Sequence, residues 1–223
     1  MRHLIAILAV LSLAAPAAAS EIEVDLELLL LVDVSRSMSP AELEIQRRGY
    51  AEALTSNAVF VALQSGALQS IAVSYVEWAG SDLQNIVVDW RVLQTRADLA
   101  AFARVLTARF SHSMRRTSIS GALEYGADSL AGNIYAGLRQ VIDISGDGPN
   151  NNGRPVTGAR DAAVMRGITI NGLPLMTEDG SGSYYRLDDL DAYYRACVIG
   201  GPGAFVIPVL DWRDFASAVR RKL

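Results

Sequence analysis

Apolar and polar positions along this chain fall into blocks whose period switches between strand-like and helix-like. Residues 28–32, Leu-Leu-Leu-Leu-Val, form an unbroken apolar run that ends abruptly in Asp33 and hydroxyls, the pattern of a central strand covered on both faces. A strand is expected over about residues 26–34. Ser39-Pro40-Ala41-Glu42 then reads as a capping box with proline at the first helical position, which predicts a helix from 40 to 55 with Leu43, Tyr50 and Leu54 near one face. Residues 71–79 and 85–93 are β-rich and separated by Gly80-Ser81-Asp82, so the second is expected as an antiparallel edge strand. Thr95 with Asp98 opens a helix whose Leu99, Phe102, Ala103, Leu106 and Phe110 share a stripe, and Ser118 caps another carrying Ile119, Ala122, Leu123, Gly126 and Leu130. A strand at 141–145, a Gly/Pro/Asn-rich loop at 146–153, a helix at 156–165, a strand at 168–175 and a short helix at 187–197 follow. Gly200-Gly201-Pro202-Gly203 turns the chain into an expected last strand at 205–210. Asp211 with Asp214 opens a terminal helix bearing Phe215, Val219 and Leu223 and ending in basic residues that suit the helix dipole.

This alternation predicts an α/β fold: a single doubly wound, mostly parallel sheet with one antiparallel edge strand and helices on both faces. The 223 residues, 51% apolar and 20% charged, suit one folded domain, expected over 24–223, and neither an internal repeat nor a linker interrupts it. The exception is the N-terminus. Arg2 and His3 precede an apolar run at residues 4–13 that is too short to span a bilayer, and Ala17-Ala18-Ala19 has the small-residue pattern of a cleavage site. Residues 1–19 are therefore expected to be a secretion signal, and the protein to be exported to the periplasm or secreted. No later stretch is apolar enough to predict a membrane span. With 20 basic and 24 acidic side chains the formal net charge is −4, which argues against nucleic acid as a partner. Cys197 is the sole cysteine, so no internal disulfide can form.

The candidate chemistry lies where the first apolar run stops. Asp33, Ser35 and Ser37 put three hard oxygen donors at alternate positions between a strand end and a helix start, the place where ligands collect in open α/β sheets. Oxygen donors suit Mg²⁺ or a similar hard cation better than zinc. Taken alone, Asp33 and Ser35 would also serve as a capping and turn cluster. Asp-x-Ser-x-Ser at the end of an apolar strand resembles the metal-ion-dependent adhesion site of von Willebrand factor A domains. On that resemblance, Thr117 in Arg115-Arg116-Thr117-Ser118-Ile119-Ser120-Gly121 looks like the site's threonine, although Ser118 competes with it as a helix cap. Asp147 in Asp143-Ile144-Ser145-Gly146-Asp147-Gly148 looks like its final aspartate. The resemblance covers nearly all of the chain after residue 24 and is closest to bacterial exported members of the class.

The resemblance implies that Asp33, Ser35, Ser37, Thr117 and Asp147 hold Mg²⁺ or Mn²⁺, with one position left for a Glu or Asp of a protein ligand. The module would then bind partners in a cation-dependent way. One departure stands out: the glycine pair usual before the threonine is replaced by Arg115-Arg116, whose guanidinium groups would add attraction for an acidic partner. Asp143 interrupts an otherwise buried strand and either orients the ligand-bearing loop or makes a plain structural hydrogen bond. Asn150, with Asn151 and Asn152, is expected on the rim, and the pairs Tyr184-Tyr185 and Tyr193-Tyr194 are candidates for an interface or for packing. Enzyme chemistry is disfavoured. Beyond the leader only His112 could act as an imidazole base, and neither a Gly-x-Ser-x-Gly elbow nor a lysine-bearing phosphate loop occurs. A metal-assisted hydrolase and a metal-free scaffold of the cell envelope are the alternatives.

Overall fold

The computed structural model describes residues 21–108, 112–177 and 187–223. The expected secretion signal at 1–19, Phe110 and Tyr184-Tyr185 lie outside the described residues. The apolar run becomes β2 (Leu26–Asp33), which follows β1 (Ile22–Val24) after a single residue. Leu28, Leu30 and Val32 point into one core and Leu29 and Leu31 into the other, so the period-2 geometry of a strand splits one run of leucines between two layers. Both sets are essentially inaccessible to solvent, and each such leucine contributes about 2 kcal/mol of burial.

The main sheet has the order β4-β3-β2-β6-β7, with β3 (Ile71–Trp78), β4 (Gln84–Leu93), β6 (Gln140–Gly146) and β7 (Thr169–Pro174). All neighbours are parallel except β3 and β4, which are antiparallel, so the expected edge strand is found. On one face lie α1 (Pro40–Thr55), α3 (Arg96–Thr107) and α7 (Phe215–Lys222), which deliver Leu43, Tyr50, Phe102 and Phe215 to one core. On the other, α4 (Ile119–Ala131) and α5 (Val156–Met165) deliver Ile119, Leu123 and Ala163. α1 starts as the sequence dictates: the Ser39 hydroxyl accepts the Glu42 N–H at 3.3 Å while the Glu42 carboxylate accepts the Ser39 N–H at 2.6 Å.

Several elements differ from the sequence expectation. A short α2 (Asn57–Gln64), capped by Ser56, follows α1, and β1 pairs in parallel with β5 (Tyr135–Gly137) as a separate two-stranded sheet. The buried Glu27 carboxylate pins that pair by accepting from Gly137 N, Gln140 Nε2 and Asn133 Nδ2. The expected helix at 187–197 is one α-turn, α6 (Leu190–Tyr193), widened into a π-turn at Tyr194–Val198. Residues 205–210 do not form a strand. They run beside β7 through isolated bridges, Val206 with Gly172 and Val209 with Leu175, because Pro174 of β7 has no N–H to give to the Ile207 carbonyl between them. A single 3₁₀ turn (Trp212–Asp214), whose Asp211 cap accepts from Arg213 N, precedes α7.

Candidate metal centre

The carboxyl ends of β2, β3 and β6 meet three loops at one apex of the sheet. Beyond Asp33 the backbone is clasped on both sides: Val34 N donates to Trp78 O at 2.9 Å, and Met114 N donates to Val34 O at 2.8 Å. Asp33 Oδ1 accepts the N–H of Ser35 at 2.7 Å, and Gln46 Nε2 of α1 donates to the Asp33 carbonyl at 3.0 Å. The Ser35 and Ser37 hydroxyls lie 3.1 Å apart, and Ser37 Oγ donates to Asp147 Oδ1 at 2.9 Å, a bond between residues 110 positions apart in the chain.

Thr117 reaches the same apex from the side of the Met114 clasp. Its N–H donates to Asn151 Oδ1 and its carbonyl accepts the Asn151 N–H, both at 2.9 Å, so it is tied to the loop that follows Asp147. The asparagine run expected on the rim is a clamp for the start of α4. Asn150 Oδ1 accepts Ser120 N at 3.0 Å, Asn152 Oδ1 accepts Ser81 N at 3.0 Å, and the Asn152 carbonyl accepts Ser118 Oγ at 2.9 Å. Ser118 remains the helix cap, accepting Gly121 N at 3.1 Å, which frees the Thr117 hydroxyl from that role.

Two carboxylates are concentrated here with little to offset them. Asp33 is fully buried and its Oδ2 has no hydrogen-bond partner. Burial first, and then the charge of Asp147, push the Asp33 carboxyl well above its ordinary range. Asp147 is raised as well, chiefly by burial, with the Glu42 carboxylate adding to the effect and the Ser37 hydroxyl opposing it. No salt bridge among the described residues reaches either aspartate. Two further buried polar atoms, Trp78 Nε1 and Tyr194 OH, also lack partners. They surround Gly146, where an added methyl group would stand 2.9 Å from both Asp33 Oδ2 and Tyr194 OH, so only glycine lets β6 pass this close to the carboxylate.

This donor set fits a hard divalent cation. Asp33 and Asp147 could supply charge, Ser35, Ser37 and Thr117 could supply neutral oxygens, and an orphaned carboxylate oxygen is a group that a cation would satisfy. Among the described residues no group of three or more His, Cys, Asp or Glu side chains converges, so an imidazole- or thiolate-based centre is not built.

The remaining predicted residues take separate places. Arg115 and Arg116 are exposed, and Arg116 has φ 71°, the left-handed region that glycine enters freely and arginine does not. Asp143 stands away from the apex cluster: Asn171 Nδ2 donates to it at 3.0 Å, and Lys222 of α7 pairs with it at 3.6 Å. Sequence reasoning missed Glu42 as more than a cap. Its carboxylate also accepts Trp212 Nε1 at 3.1 Å, which joins the approach to α7 to the rim of the apex. Tyr194 was also missed as a neighbour of Asp33, and no local pattern marks a contact across so many residues.

A protein-family model described as "Protein of unknown function (DUF1194)" matches residues 23–223. The chain belongs to that family. No curated protein matches it in sequence. Among solved structures, this DUF1194 member is similar to proximal thread matrix protein 1 from the mussel byssus, with a zinc-occupied MIDAS motif, at TM-score 0.66 and 13% identity over 90% of this chain and 48% of that one. It is also similar to the pilus adhesin SpaC from Lactobacillus rhamnosus GG, at TM-score 0.62 and 13% identity over 88% and 29% of the two chains. The von Willebrand factor type A protein from Catenulispora acidiphila matches at TM-score 0.56 and 13% identity over 91% and 42%. The DUF1194 chain therefore spans about half or less of each of these neighbours, and its fold is that of a von Willebrand factor A domain.

Proposed function

We propose that this DUF1194 protein is an exported protein-interaction module that binds a partner through a divalent cation, Mg²⁺ or Mn²⁺, at the sheet apex. The observation that carries the reading is the Ser37–Asp147 hydrogen bond, which joins the Asp-x-Ser-x-Ser loop to the end of β6 beside the unpartnered Asp33 Oδ2. Asp33, Ser35, Ser37, Thr117 and Asp147 would hold the ion, which when bound supplies an electrophilic position for a carboxylate of the partner. Ser37 keeps Asp147 turned toward the loop, and the clasp of Val34 between Trp78 and Met114 fixes the loop's backbone. The asparagine clamp holds Thr117 in register with both. Arg115 and Arg116, exposed beside Thr117, supply long-range attraction for an acidic ligand. The adhesin and matrix-protein neighbours support a binding role for this fold, and the leader at residues 1–19 supports export.

Titration calorimetry with Mg²⁺ and Mn²⁺ on the wild type and on Asp33→Ala tests the reading. Saturable binding in the wild type that is lost in the variant is the expected result. Heats in the wild type no larger than dilution would sink it.

A further inference from the structure

Away from the apex, toward the opposite end of the sheet, a cavity of about 400 Å³ opens between β4, the end of α4 and β5. Its walls are Trp90 from β4, Tyr135 from β5, and Ser129 and Asn133 from the end of α4, with Asp89 and Ile134 also lining it. The sequence makes it through an irregularity in β4. Val88 pairs with Tyr75 and Arg91 with Val73, so two residues, Asp89 and Trp90, stand opposite the single Ser74. Such a bulge breaks the strict alternation and re-aims a side chain. Here the Trp90 indole turns toward α4, where Nε1 donates to Ser129 Oγ at 3.0 Å. The rings of Trp90 and Tyr135 stand 6.4 Å apart at 52°, a tilted wedge in the cavity wall.

Two features of the wedge favour positive charge. Asp89 is exposed and accepts only the N–H of its neighbour Trp90 among the hydrogen bonds described, which leaves carboxylate capacity free. No Lys or Arg lines the cavity. α4 ends beside it, with Arg166 holding the Ala127 carbonyl and Asp128 on the last turns of the helix. The Asn133 amide offers little to an anion, because its Nδ2 is directed to Glu27 and to the Ser129 and Leu130 carbonyls while its Oδ1 accepts Tyr135 N. Ile134 is 60% exposed and adjoins the exposed Ile22 through the Ile22 N–H to Ile134 carbonyl bond, an apolar shelf suited to an aliphatic stem.

We propose that this cavity is a second recognition site, which takes a basic side chain of a partner polypeptide with its guanidinium or ammonium group between Trp90, Tyr135 and Asp89. The site shares no residue with the apex, so its occupancy does not depend on the cation reading.

The test is titration of the full-length protein, followed by the Trp90 indole N–H signal in NMR and assigned with Trp90→Phe. The probes are N-acetyl-arginine amide, N-acetyl-lysine amide, the neutral isostere N-acetyl-norleucine amide, and tetramethylammonium. A cation held by an aromatic face gains about 1 kcal/mol, so at least one basic amide is expected to bind roughly 5-fold or more tightly than norleucine amide. That preference is expected to fall by at least half in Asp89→Asn at an unchanged melting temperature. Equal response to the basic and neutral amides, no shift of the Trp90 signal, or a preference unchanged in Asp89→Asn would overturn the proposal. Saturable binding of tetramethylammonium without either amide would assign the wedge to a free organic cation and overturn it as well.

Discussion

At the scale of single residues, Arg116 carries a conformational cost that its sequence neighbours do not. A non-glycine residue held at φ 71° sits where Cβ crowds the backbone, a cost of about 1–2 kcal/mol, and such positions cluster at functional sites. Where related domains place a glycine pair, this chain accepts the strain and gains two guanidinium groups beside Thr117. Arg116→Gly is therefore expected to raise unfolding stability by about 0.5–1 kcal/mol in urea titration, since relief of strain exceeds the extra freedom of glycine in the unfolded chain. Arg115→Gly, at a position without positive φ, is expected to give no such gain. Asp33, Ser35 and Ser37 of the proposed centre stand out in the sequence because an apolar run ends on them, whereas Thr117 and Asp147 enter only through the resemblance to von Willebrand factor A domains. Tyr194 and Trp78 were not legible in either way. Nothing local to either residue announces that both come to rest around Gly146.

At the scale of elements, the terminal helix is held by polar groups in a buried setting. Lys222 Nζ donates to Tyr50 OH at 3.3 Å and pairs with Asp143, and Tyr50 OH in turn donates to Ser145 at 3.5 Å. Burial alone would lower the Lys222 ammonium, yet the Asp143 carboxylate and the Tyr50 hydroxyl hold it above the ordinary lysine value. Removing one partner of a buried pair leaves the other uncompensated. Lys222→Met is thus expected to cost about 3 kcal/mol, with Asp143→Asn in the same chain restoring more than half of it, as read by a double-mutant cycle in urea. Strong local signals made α1 readable to its ends, since it combines a capping box with an apolar stripe, and α5 keeps its expected bounds without a side-chain cap. α2, β1 and β5 escaped because three to eight residues carry too little periodicity. The expected strand at 205–210 is interrupted by the missing N–H of Pro174 on its neighbour β7, which the pattern within 205–210 does not show.

At the scale of the whole molecule, stability on the acid side rests on carboxylates that cap loops and helices. Asp25 is lowered mainly by the N–H of Leu68, with Ser70 assisting, and Asp98 mainly by the Thr95 hydroxyl and N–H. Asp211 is drawn down to about 2 by Arg213. A carboxyl whose folded pKa lies below its unfolded one contributes stability above the ordinary value, and that contribution is lost as pH falls through the folded one. The melting temperature is accordingly expected to fall between about pH 4 and pH 2, and Asp25→Asn, which cannot titrate, to show a shallower decline by calorimetry over the same window.

The two margins of the sheet have a consequence for crowding. Along β7 the neighbouring ladder positions are taken by residues 205–210 with their proline, and along β4 the run is broken by the bulge at Asp89 and Trp90. Neither margin presents the long, flat row of free amides and carbonyls that lets copies of a protein stack into fibrils. However densely such molecules gather, the margins of the main sheet give strand-to-strand polymerisation little to build on.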